Sequence, residues 1–177
     1  MSISLVAALL ALTACFCDAA PKSTDEAKAE TKVETKAETK AETKARAPAT
    51  DPLSQALERY EALRSKLAAD DGALQEDARA LASAAKEGER DALASAADAL
   101  AKLPAEDLAA LREQFGEVSK ELVTIIAQTP ALQEGRHVFT CPMAKGYQKW
   151  VQREAKMANP YMGKKMLECG SASDWKS

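Results

Sequence analysis

Residues 106–129 read EDLAALREQFGEVSKELVTIIAQT, and the fold class turns on them. Leu108, Leu111, Phe115, Val118, Leu122 and Ile125 recur at intervals of three and four, the spacing that lines side chains along one face of an α-helix. Glu106 and Asp107 suit the electropositive start of a helix, and Thr129-Pro130 ends the run because proline cannot continue it. Upstream, the same period returns. Asp51-Pro52 supplies an N-cap and a preset first helical residue, and Leu53, Leu57, Tyr60, Leu63 and Leu67 follow until Asp70-Asp71-Gly72 stops them. Leu74, Ala78, Leu81 and Ala85 form a second stripe ending at Gly88, and Leu93, Ala97 and Leu100 a third ending before Pro104. Short turns between four such helices predict an all-α fold, an antiparallel four-helix up-down bundle over 51–129. Alanine at the facing positions would let the helices close around Tyr60 and Phe115. Charged residues in this body read as a solvated outer surface.

On the N-terminal side the texture is different. Ile3 to Leu12 is apolar but shorter than the ~20 residues a membrane-spanning helix needs, so 1–14 reads as a signal peptide. Leu12-Thr13-Ala14-Cys15 resembles the lipobox of bacterial lipoproteins, which implies lipidation of Cys15 and anchoring to the outer membrane from the periplasmic side. The alternative is secretion of a soluble protein after cleavage near Ala19 or Ala20. Either way the destination is oxidising. Residues 15–50 contain repeated ETK units, in which a four-residue period stacks Glu over Glu and Lys over Lys. With so few apolar residues to repay ordering, this segment reads as a disordered tether. Cys17 suggests no chemistry of its own.

On the C-terminal side, 130–177 reads as a small strand and turn segment packed on the bundle. His137-Val138-Phe139-Thr140 is a short strand, with Trp150-Val151 as its partner, and Asn159-Pro160-Tyr161 is a turn signal. Four of the five methionines, two of the four cysteines, the single histidine and both tryptophans lie between His137 and Trp175. Cys141 and Met143 are two apart and Met166 and Cys169 three apart, so two sulfur-bearing turns could converge on one ion. Thiolate with thioether selects Cu(I) over harder cations. The expected metal ligands are therefore Cys141, Met143, Met166 and Cys169, with His137 as a further candidate. Trp150 and Tyr161 would cover the junction with the bundle.

Cys141-Pro142-Met143-Ala144, Trp150, Asn159-Pro160-Tyr161-Met162-Gly163 and Met166-Leu167-Glu168-Cys169-Gly170 resemble the C-terminal signature of the bacterial domain-of-unknown-function family thirty-three forty-seven. The helical part is similar at Tyr60-Glu61-Ala62-Leu63, Asp70-Asp71, Phe115, Val118-Ser119 and Leu122. The resemblance covers Leu53 to Gly170. It implies an exported helical domain of a kind also attached to CusB-type periplasmic adaptors of heavy-metal efflux pumps, and so a link to copper or a related metal. This chain departs from the family at Ala158, where Arg is frequent, and at Met162, where an aromatic is usual. The second departure adds a thioether beside the sulfur turns.

Two further readings of the cysteines stand beside copper. Paired thiols outside the cytoplasm form disulfides by default, which would make Cys141 and Cys169 a staple and the methionines core filler. Zinc could use Cys141, Cys169, His137 and one more ligand, although there is no CxxC pair and thioethers serve zinc poorly. The leading expectation is an exported lipoprotein that binds Cu(I) for sequestration or hand-over to an efflux adaptor or another envelope protein. Its alternative is a disulfide-stapled interaction module without metal. A net charge of −3 argues against nucleic acid as a partner. With one histidine and no nucleophile triad, paired-carboxylate or phosphate-loop pattern, an enzyme is not expected.

Overall fold

The computed structural model describes residues 51–176. The expected signal peptide, the lipidation site Cys15, Cys17 and the tether lie outside the described residues. Four helices open the domain: α1 Pro52–Ala68, α2 Gln75–Glu87, α3 Asp91–Leu100 and α4 Leu108–Ala127. The starts of α1 and α4 follow the capping chemistry. Asp51 accepts the Ser54 amide at 2.9 Å with Pro52 directly behind it, and Asp107 accepts the Ala110 amide at 3.0 Å. The apolar stripes face inward, with Leu63, Leu67, Leu74, Leu81, Leu100, Leu111, Phe115 and Leu122 fully buried. Each such side chain stabilises the fold by about 1.5–3 kcal/mol through its removal from water.

The domain is not all-α. Three strands, β1 His137–Thr140, β2 Lys149–Gln152 and β3 Ser171–Ala172, form an antiparallel sheet in the order β2-β1-β3. The expectation of an all-α bundle with a strand and turn appendage is thus corrected to a mostly helical domain with a real sheet. Two of the strands follow the sequence reading. β3 is two exposed residues that pair with Phe139 and Thr140, too short to carry a periodicity of their own.

The sheet belongs to the core because β2 lies against α4, and its Trp150, Val151 and Gln152 are all buried. Successive helices pack on one another, α1 on α2, α2 on α3 and α3 on α4, while α1 and α4 meet chiefly through large side chains. There the Tyr60 ring stacks on Phe115 at 5.2 Å. Phe115 meets Tyr161 edge-on at 5.9 Å, Tyr161 meets Trp150 at 5.9 Å, and Trp150 stacks on Phe139 at 5.5 Å. One aromatic chain therefore runs from α1 through α4 to the sheet.

Polar groups follow the same route. Tyr60 Oη and Ser119 Oγ are 2.7 Å apart, and the Val151 amide donates to Tyr60 Oη at 3.2 Å. Ser119 and Tyr161 both donate to the Lys149 carbonyl, at 2.9 and 2.7 Å. Two arginines depart from the expected solvated surface. Arg64 is buried on α1, pairs with Glu61 and donates to the Ala158 carbonyl at 3.1 Å. Arg112 on α4 holds Asp70 at 2.5 Å, the Leu67 carbonyl at 3.3 Å and the Pro160 carbonyl at 3.1 Å.

Candidate functional site

Cys141 leaves the end of β1, and its amide continues the hairpin by donating to the Gln148 carbonyl at 3.0 Å. The loop from Cys141 to Gln148 turns first at Cys141–Ala144, where the Ala144 amide returns to the Cys141 carbonyl at 3.1 Å. This places the Cys141 side chain inside the core at 0% exposure and leaves Met143 57% exposed.

Cys169 reaches the same place from the other end of the segment. Gly170 makes this possible: at φ +138 it approaches the Thr140 carbonyl so closely that an added Cβ would lie 2.5 Å from that oxygen. A side chain there would also crowd the Trp150 ring and the Met157 sulfur, at 3.2 and 3.3 Å. The glycine after Cys169 thus lets the chain tuck against the end of β1, beside Cys141.

Asn159 fixes this approach from behind. It is completely buried, donates to the Cys169 carbonyl at 2.5 Å, and accepts the Tyr161 and Met162 amides at 2.8 and 3.1 Å. Its own amide binds the Leu167 carbonyl at 2.8 Å. The sequence reading saw Asn159-Pro160 only as a turn. Nothing in a turn signal says that the asparagine side chain will hold a cysteine ten positions away.

Of the five expected ligands, three come together. Cys141 and Cys169 are free thiols, and the Cys169 sulfur is 3.9 Å from that of Met143. Burial, and next the electrostatic and hydrogen-bonding influence of Cys141, push the Cys169 thiol above its usual value. In the absence of metal Cys169 is therefore held as a protonated thiol, and an ion that binds it must displace that proton.

Of the other two expected ligands, His137 is placed apart and Met166 adjoins Cys169 through its backbone. His137 lies at the far end of β1, roughly 13 Å from Cys141 at the ~3.3 Å rise of a strand residue. It is exposed, 6.3 Å from the Phe139 ring, beside a separate hollow that Trp175 also lines. Met166 ends the short 3-10 turn Gly163–Met166, is 38% exposed, and meets Cys169 through its backbone carbonyl at 3.0 Å.

No group of three or more His, Cys, Asp or Glu side chains is gathered among the described residues. His137, the histidine of the zinc alternative, stands at the opposite end of β1 from Cys141. What the geometry offers is one thiol in an apolar wall, a second at the surface and a thioether over it, a soft and partly dry ligand group. Two methionines absent from the expected ligand set also lie close by, Met157 behind Gly170 and Met162 on the turn that Asn159 holds. No helix among the described residues is long and apolar enough to cross a membrane. The chain matches no family model, no curated protein and no solved structure.

Proposed function

We propose that this is an exported envelope protein, lipidated at Cys15, that binds Cu(I) through Cys141, Cys169 and Met143 for sequestration or hand-over to an efflux system. The observation that carries this reading is the convergence of two free thiols and a thioether, with Met143 and Cys169 sulfurs 3.9 Å apart, from turns 26 positions apart in sequence. Sulfur at that separation needs little movement to share an ion, and two thiolates with a neutral thioether match the preference of Cu(I) for low-coordinate soft sites. The Cys141 wall is apolar, which disfavours hard hydrated cations that would have to shed water. Binding releases the thiol protons, so copper affinity falls as the solution is acidified.

The test is a thiol count by mass spectrometry on the full protein purified from the cell envelope, followed by Cu(I) titration under reducing conditions. One copper per chain, lost in the Cys141→Ser, Cys169→Ser double variant, is the expected result, and unchanged affinity in that variant would sink the reading. The adjacency of Cys141 and Cys169 equally suits a disulfide-stapled interaction module. That reading is favoured if Cys141 and Cys169 are found disulfide-linked, leaving Cys17 alone in the thiol count, and the reduced protein takes up no copper.

A further inference from the structure

Between the first turn of α4 and the turn following Asn159 lies a pocket of about 200 Å³, lined by Ala109, Arg112, Met143, Ala144, Tyr161 and Met162 among others. It holds two thioethers. Met143 belongs to both places, for it borders the pocket and its sulfur lies 3.9 Å from Cys169. Cys141 is buried at 0% exposure, whereas Cys169 is only partly buried, so Cys169, beside Met143, is the more accessible of the two thiols.

We infer that this pocket is the port through which Cu(I) enters and leaves the dithiol site, with Met162 as an outer ligand and Met143 as the shared one. The inference rests on the Cu(I) reading above. Thioethers are neutral and bind Cu(I) more weakly than thiolates do, so affinity rises inward from Met162 through Met143 to Cys169 and Cys141. At each step one Cu–S bond forms as another breaks, and copper remains Cu(I) throughout. Each thiol loses its proton to solvent water as its sulfur binds. The pocket is itself held open by contacts made elsewhere. Arg112 on its wall is committed to Asp70, Leu67 and Pro160, and Asn159 fixes the backbone of Met162.

Stopped-flow transfer of Cu(I) from a chromophoric Cu(I) chelator to the full protein tests the port separately from the site. Met162→Leu keeps side-chain volume and should slow transfer by roughly tenfold. Ala109→Leu fills the pocket from an exposed helical position and should slow transfer in the same way. It decides the matter if Met162→Leu lowers the urea midpoint. Transfer at the wild-type rate in the deciding variant, with copper bound normally by the wild type, overturns the port and leaves the metal site standing. A wild-type protein that draws no copper from the chelator overturns both.

Discussion

The residue that governs the candidate site most directly is one with no metal chemistry. Asn159 spends its donor on the Cys169 carbonyl and its acceptor on the two amides of the following turn, wholly out of water. Asn159→Ala leaves those groups short of partners in a buried place and should cost about 1–3 kcal/mol of stability, read by urea denaturation. It should also weaken Cu(I) binding at saturating reductant. A variant as stable as the parent would show that water replaces the amide. Tyr147 presents the opposite case. Its hydroxyl is the one buried side-chain polar atom without a partner among the described residues, and its burial raises its pKa. Tyr147→Phe removes an unsatisfied group, so stability should hold or rise by up to about 1 kcal/mol, and a clear loss would reveal a partner such as an ordered water. Glycines were legible in the sequence as punctuation, but Gly170 works by close approach to Thr140, a contact between distant positions that no local pattern announces.

At the scale of elements, the join between helices and sheet is a polar stitch through an aromatic seam. Tyr60 on α1, Ser119 on α4 and the backbone of β2 share one buried hydrogen-bond chain. Removing the central hydroxyl in Ser119→Ala should cost about 1–3 kcal/mol, since it leaves Tyr60 and the Lys149 carbonyl each with one partner fewer. Burial is the main force raising the pKa of Tyr60, and it raises that of Tyr161 well above its ordinary value too. The unfolded chain gives up these protons near pH 10, whereas the folded chain retains them. The unfolded state then binds fewer protons, so stability falls as pH rises above about 10 and this contribution is flat below it. Urea midpoints measured across pH 9 to 11 should fall at the top of that range, and a smaller fall in Tyr60→Phe would assign it. The four helices were readable because each carries its own stripe and stop. β3 was not, because Ser171 and Ala172 become a strand only by pairing with Phe139 and Thr140.

For the whole molecule, Arg112 ties together the end of α1, the Asp70 turn and the Pro160 carbonyl, and thereby seats the C-terminal segment on the helices. The arginine beside Asp70 holds that carboxyl below its ordinary range. Gly163, at φ +60, lies so near Asp70 and the Arg112 guanidinium that a Cβ would collide with both. Arg112→Ala should lower stability by about 1–2 kcal/mol through the Leu67 and Pro160 carbonyls that lose their side-chain donor. It should also speed proteolysis after Pro160 at the expense of little helical signal. Uniform loss of helix and C-terminal segment together would mean that the two are a single cooperative unit.

The sequence by itself determined the four helices and their stops, the start signals of the first and last, the hairpin strands and the concentration of soft ligands near the C-terminus, because periodicity, capping and composition are local properties of a chain. Only the tertiary structure decided that a three-stranded sheet joins the core, and that Arg64 and Arg112 turn inward to grip the C-terminal segment. It alone brought Met143 to Cys169 while leaving His137 at the far end of its strand. Such choices depend on which distant backbones approach one another and which buried polar groups must find partners, and those requirements arise only once the chain has closed on itself.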